Sequence, residues 1–136
     1  MSEVSGGCHC GAVAYVVNGV VQYVVNCHCN MCRGMNGAAF SSYAIVNHDE
    51  LSITQGLESL RQYAASDTGV KHYCAECGSP LFNTNVKKYG DHAMLYLGTL
   101  RGPEALPEPV NIFHEDRLAW TDAVAALTSF ARLPQR

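Results

Sequence analysis

Cys8-His9-Cys10, Cys27-His28-Cys29-Asn30-Met31-Cys32 and Cys74-Ala75-Glu76-Cys77-Gly78 decide how this chain is read. These three tight clusters hold all seven cysteines of the sequence. Seven is an awkward number for disulfides, because one thiol is left over. As metal ligands, seven divides into four plus three. Four thiolates close a tetrahedral zinc site, whereas three leave a position open for water or substrate. In an extended segment, side chains at i and i+2 point to the same side. Cys8 and Cys10 can therefore grip one ion together, as can Cys27 and Cys29, while His9 and His28 point away. The two-residue gaps between Cys29 and Cys32 and between Cys74 and Cys77 suit tight turns that bring both sulfurs to one ion. Gly78 supplies the permissive dihedrals such a turn needs.

Cys27, Cys29 and Cys32 lie within six residues of one another and fill three vertices of one tetrahedron. Cys8, Cys10, Cys74 and Cys77 then make a complete second site. That site ties the first strand to a segment more than sixty residues later, adding stability that a small β domain otherwise lacks. The expectation is two zinc ions per chain. The alternative for the three-cysteine site is that a His or Asp closes it as a permanent fourth ligand. His48, His72, His92 and His114 are the available imidazoles, and none stands at a recognisable ligand spacing from the cluster.

The bulk properties narrow the function classes. A chain of 136 residues, 48% hydrophobic, suits one domain with a real core. A net charge of -3 with only nine Lys plus Arg provides no basic footprint for nucleic acid. Met1-Ser2-Glu3-Val4-Ser5-Gly6-Gly7 lacks the basic and apolar regions of a signal peptide. The apolar runs around Val20-Val21 and Val24-Val25 are too short to span a membrane. A cytoplasmic protein is expected, in a compartment where clustered cysteines bind metal more often than they form disulfides.

The periodicity is mostly that of strands. Residues 12–17 and 20–26, separated by Asn18-Gly19, read as a β-hairpin. Residues 40–46, 51–54, 60–64, 80–82, 93–97 and 110–114 are further strand candidates. Gly56, Asp67-Thr68-Gly69 and Tyr89-Gly90-Asp91 supply turns, and 101–109 a proline-rich loop. Thr121 is placed to cap a C-terminal helix with Val124, Leu127 and Ala131 on one face. Trp120 and Phe113 are expected to pack in the core or over the site. The fold class is mainly β, stapled by metal, with a short C-terminal helix.

Gly6-Gly7-Cys8-His9-Cys10-Gly11-Ala12-Val13, Cys27-His28-Cys29-Asn30-Met31-Cys32-Arg33 and Tyr73-Cys74-Ala75-Glu76-Cys77-Gly78-Ser79-Pro80-Leu81-Phe82 together resemble the glutathione-dependent formaldehyde-activating enzymes, relatives of centromere protein V. Asn111-Ile112-Phe113 leading to Trp120 agrees. The resemblance implies a zinc-stapled β-tent of antiparallel sheets over residues 5–120, with 121–136 as a C-terminal helix and tail. It implies a structural zinc on Cys8, Cys10, Cys74 and Cys77 and a reactive zinc on Cys27, Cys29 and Cys32. The implied activity is that of a carbon–sulfur lyase, joining glutathione to formaldehyde as S-hydroxymethylglutathione.

The expected partners are a small-molecule thiol such as glutathione and a small electrophile, with no nucleic acid and no membrane. A tripeptide thiol carries two carboxylates, and Arg33 beside Cys32 is the candidate cation; its other reading is an arginine bonded to its own loop. For the general base the sequence supplies His48-Asp49-Glu50 and His114-Glu115-Asp116 without choosing between them, and each also reads as a solvated turn. The rival function is a zinc-stabilised protein-binding module without catalysis.

Overall fold

The computed structural model describes residues 4–102 and 105–134. Eleven strands are present among them: β1 (Val4–Gly7), β2 (Ala14–Val17), β3 (Tyr23–Cys27), β4 (Ser41–Asn47), β5 (Leu51–Gln55), β6 (Leu60–Ala64), β7 (Val70–Cys74), β8 (Pro80–Thr84), β9 (His92–Tyr96), β10 (Leu100–Arg101) and β11 (Val110–Ile112). Two short helices interrupt them, α1 (Asn30–Asn36) and α2 (Val86–Tyr89). A four-stranded sheet has the order β10-β1-β2-β5, and a seven-stranded sheet has the order β11-β3-β4-β9-β8-β7-β6. Every pairing is antiparallel except that of β11 with β3. No helix among the described residues is long and apolar enough to cross a membrane.

The two-residue period of a strand explains where the site sits. Along β4, Ala44 and Val46 enter one apolar cluster, while Tyr43 and Ile45 enter another on the opposite face. In β9, Ala93 and Leu95 join the first cluster, Tyr96 the second, and Met94 packs against the second. These two strands pair in register, Ala44 against Leu95 and Tyr43 against Tyr96. The first cluster also takes Tyr15 and Val17 from β2 of the four-stranded sheet, and Val13 just before it, so it is the core shared by both sheets. Leu81 and Leu95 are fully buried there, each contributing about 1.5–3 kcal/mol. The second cluster contains Cys27 and Cys32 and lies on the outer face of the seven-stranded sheet. A strand pair buried on both faces thus separates the structural core from the candidate site.

Three expectations need correction. β2 and β3 do not form a hairpin, because β2 pairs with β1 and β5 whereas β3 pairs with β4 and β11. Asn18-Gly19 is instead part of a crossing between sheets: the Asn18 N–H donates to the Glu50 carbonyl at 2.9 Å, and the Gln22 N–H to that of Ile45 at 2.8 Å. The C-terminal helical segment exists, but as 3-10 turns over Ala119–Ala126 broken at Ala123 (φ -127°). Thr121 does not cap it: its hydroxyl donates back to the Leu118 carbonyl at 2.6 Å. Trp120 is 49% exposed and no core residue. The other strand candidates are found within a few residues of their expected limits. The proline-rich loop includes residues 103–104, which lie outside the described residues.

Candidate metal centres and the adjoining cavity

Cys8 and Cys10 follow β1 in the four-stranded sheet, whereas Cys74 ends β7 in the seven-stranded sheet and Cys77 lies in the turn after it. Their four sulfurs lie within 4.8 Å of one another. Cys8 Sγ is 3.6 Å from Cys10 Sγ, and Cys10 Sγ is 3.9 Å from Cys74 Sγ. All seven cysteines are free. Backbone N–H groups aim at two of these sulfurs, Val13 at Cys8 (3.2 Å) and Glu76 at Cys74 (3.3 Å). The Cys74–Cys77 turn closes as the spacing requires, with Gly78 at φ 78° and its N–H on the Cys74 carbonyl at 2.8 Å. The Ser79 hydroxyl, 3.1 Å from Cys77 Sγ, holds that thiol down at about 5 together with the Ser79 backbone N–H. Donors of this kind favour the thiolate, the form that binds metal.

The second group is built locally. Cys27 ends β3, Cys29 caps α1, and Cys32 lies in the first turn of that helix. The Cys29 sulfur replaces the usual capping oxygen, accepting the Cys32 N–H at 3.3 Å. The three sulfurs again lie within 4.8 Å of one another, and no His, Asp or Glu among the described residues joins them. The hydrogen bond from Cys32 lowers the Cys27 pKa, while the same contact, aided by burial, raises that of Cys32. Cys27 is thus the more acidic of these two thiols. Three thiolates side by side need a cation.

Both groups fit zinc. The donors are soft sulfurs, gathered closely, unbridged, and supplied with N–H groups that neutralise thiolate charge.

Behind the trio stands a polar network that the cysteine spacing does not announce. Tyr43 Oη lies 3.2 Å from Cys32 Sγ and accepts from Asn83 Nδ2 at 3.2 Å. Tyr96 Oη lies 3.0 Å from Asn83 Oδ1 and 3.1 Å from Asn36 Oδ1. Burial, then Tyr96 and Cys32, push the Tyr43 phenol far up, so it keeps its proton, which a Cys32 thiolate could accept. The available signal for Tyr43 is its phase in the strand, two residues before Ile45 on the same face.

Cys29, Cys32 and Tyr43 open into a cavity of about 640 Å³, within the range of small-molecule sites. Phe113 lines it too, with the only positive φ (50°) of a non-glycine among the described residues. The four-cysteine group does not line this cavity.

Arg33 does not reach the cavity. Its guanidinium bonds Asn30 and lines a separate shallow groove with Leu118 and Trp120. His114 stands beside Asp122 (3.6 Å) and edge-on to His28, outside the cavity lining, as is His48. His9 is exposed, and His28 is buried with Nε2 3.0 Å from Asn111 Oδ1, so neither imidazole joins a sulfur group.

A family model described as glutathione-dependent formaldehyde-activating enzyme matches residues 3–116. The chain belongs to the glutathione-dependent formaldehyde-activating enzyme family. It is 30% identical over 83 residues to a Halomonas elongata protein named "Putative glutathione-dependent formaldehyde-activating enzyme". That similarity covers 57% of this chain and 53% of the Halomonas protein, so it spans about half of the relative's length. A crystal structure of a Rhodobacter sphaeroides protein superposes with a TM-score of 0.59 at 21% identity, over 78% of this chain and 99% of that one. At that identity the likeness bears on the fold alone. All three cysteine clusters of this family member fall inside the matched segment.

Proposed function

We propose that this chain is a zinc-dependent carbon–sulfur lyase-type enzyme that joins a thiol, such as glutathione, to formaldehyde or another small electrophile. The observation that carries the reading is the contrast between the two sulfur groups. One has four sulfurs and lies off the cavity; the other has three, no fourth His or carboxylate among the described residues, and two of its members, Cys29 and Cys32, on the cavity wall. In this reading Cys8, Cys10, Cys74 and Cys77 hold a structural zinc, and Cys27, Cys29 and Cys32 a reactive one. Bound there, zinc would supply Lewis acidity and lower the pKa of a thiol in the open position.

The chain's own residues supply the rest. For formaldehyde the balance is RSH + CH2O giving RS–CH2–OH: one carbon–sulfur bond forms, the carbonyl π bond opens, and the thiol proton ends on oxygen. Tyr43, donating to Cys32 and held by Asn83, fixes the orientation of that ligand. The apolar side chains beside Cys29 and Cys32 limit water around the reacting pair. Arg33 can act on substrate only from outside the cavity, and its bond to Asn30 favours a role in its own loop. The family membership supports the thiol and aldehyde classes, and the reducing cytoplasm is the compartment that suits seven free thiols. The test is exchange of 13C-formaldehyde with its hemithioacetal, followed by NMR. The expected result is a protein-dependent acceleration that Cys29→Ser abolishes; equal rates with and without protein would refute it.

A second reading, a protein-binding module, draws on one observation. Trp120, Val124, Leu127, Phe130 and Leu133 are all exposed along 120–133. We place the domain boundary at 120/121 and treat 121–136 as an appended tail, so this apolar face can serve a partner independently of the cavity. A truncation after Trp120 that keeps thiol exchange intact would separate the two roles.

A further inference from the structure

We infer that the thiol preferred by this cavity has an apolar body and carries at most one anionic group, so that such a thiol is taken ahead of glutathione. The inference rests on the thiol chemistry proposed above and deepens it by naming the substrate class.

Size comes first. Formaldehyde has two heavy atoms and leaves nearly all of a 640 Å³ cavity empty. The cavity is therefore shaped for the larger reactant, the one that brings sulfur. Its walls around Cys29 and Cys32 are Val25, Ile45, Met94 and Ile112, with Met31 and Met35 from α1. Ile45 is buried from the sheet, and Met94 and Ile112 pack against the cluster that includes Cys27 and Cys32. These apolar side chains dominate the wall beside the sulfurs, with Tyr43, Asn83, Thr84 and Asn85 among its uncharged polar members.

Charge comes second. Glutathione has two carboxylates and an ammonium group, each of which needs a partner or water when bound. Among the described residues Lys88 is the one lysine or arginine in the lining, with its Nζ 5.4 Å from the Tyr89 ring centroid. His92 also lines the cavity, but its ring nitrogens are engaged by the Tyr89 carbonyl (2.9 Å) and by Gln22 (3.2 Å). Lys71 is nearby but bonds the Met35 carbonyl at 3.2 Å and lines a neighbouring depression. Arg33 faces another groove. No Asp or Glu among the described residues lines the cavity to receive an ammonium group. One cation suits one anionic group on the substrate; the apolar walls suit an alkyl or aryl body. The methionines add an adaptable surface for such a body.

The zinc-loaded full chain, labelled with 13C-methyl methionine, reads cavity occupation directly, because Met31, Met35 and Met94 all line the cavity. Benzyl mercaptan is the apolar probe, and glutathione the comparison. The expected result is that benzyl mercaptan shifts these three methyl signals saturably, at a concentration at least about tenfold below that required by glutathione. Met94→Glu should weaken benzyl mercaptan by a similar factor with two zinc ions retained; Met31→Glu, at a position 50% exposed, provides a variant that keeps the core intact. Glutathione saturating the same methyls at an equal or lower concentration would overturn the inference, as would methyl signals unmoved by benzyl mercaptan. A cobalt-substituted sample distinguishes failure of this inference from failure of the thiol chemistry beneath it. A charge-transfer response to glutathione with methyls blind to benzyl mercaptan removes this inference and leaves the thiol chemistry standing. A spectrum indifferent to both thiols removes both.

Discussion

The Tyr43 hydroxyl lies 3.2 Å from the Cys32 sulfur, and it reaches that sulfur from the face of β4 opposite the main core. Asn83 donates to the same hydroxyl at 3.2 Å, and a metal-bound Cys32 thiolate, which has no proton of its own, would leave the phenol as the donor to sulfur. Tyr43→Phe therefore removes a hydrogen bond from one metal ligand and leaves the Asn83 amide short of a partner. The expected outcome is a roughly 10-fold or greater loss of zinc affinity at the three-cysteine group only, read by chelator competition. Unchanged affinity would mean that the hydroxyl does not support the ligand.

Substitutions in the two cysteine groups should differ in kind. Cys74→Ser breaks the group that joins the two sheets. It should lower zinc from two ions to one per chain and cost several kcal/mol of stability, on the order of a structural site's contribution. Cys29→Ser should also release one ion but leave the melting temperature within a few degrees, because β3 and α1 are consecutive in sequence. Metal analysis and thermal unfolding check both. Loss of both ions from either variant would contradict two independent sites.

Gly56 follows β5 with φ 78°, and a Cβ built there would come 1.9 Å from the Ala12 carbonyl oxygen. Neither the backbone angle nor the neighbour, itself main chain, can yield cheaply. Gly56→Ala should destabilise by more than about 2 kcal/mol, measured by denaturant unfolding of the zinc-loaded protein.

Tyr15 titrates high for a reason visible in the core. Burial lifts its phenol from 10.0 to about 12, against the lowering effects of its bond to Thr99 and of Arg101. A folded pKa above the unfolded one means that stability is fully present below pH 10 and is lost as pH rises from 10 to about 12. The folded state holds the proton more tightly there, so removing it favours unfolding. Tyr15→Phe should lose some stability at neutral pH, through the broken 2.7 Å bond to Thr99, and show a shallower alkaline decline. Parallel decline in both proteins would rule out Tyr15 as the source.

The sulfur clusters within each short segment are legible in the cysteine spacing, because i, i+2 and i, i+3 geometry is local and few conformations satisfy it. The union of Cys8 and Cys10 with Cys74 and Cys77 follows only as the remainder once Cys27, Cys29 and Cys32 are grouped. Strands such as β6, found at the expected residues 60–64, are legible for the same local reason. What escapes the sequence is non-local. Asn18-Gly19 resembles a hairpin turn, yet the flanking strands find better apolar partners in different sheets. Helix α1 is hidden because a thiol, not an oxygen, caps it and Gly34 sits within it. The Tyr43–Asn83–Tyr96 network joins residues up to 53 positions apart, and only the β4–β9–β8 pairing brings them together. Arg33 stands out by adjacency to Cys32, but consecutive residues on a helix point in different directions.

An open coordination position on the three-cysteine group is tested most directly by the visible spectrum of the cobalt-substituted protein titrated with a thiol. If Cys27, Cys29 and Cys32 leave that position facing the cavity, benzyl mercaptan should change the thiolate-to-cobalt charge-transfer band saturably, and Cys29→Ser should abolish that change. A spectrum that stays constant to millimolar benzyl mercaptan and millimolar glutathione would contradict the open site and return the chain to the protein-binding reading.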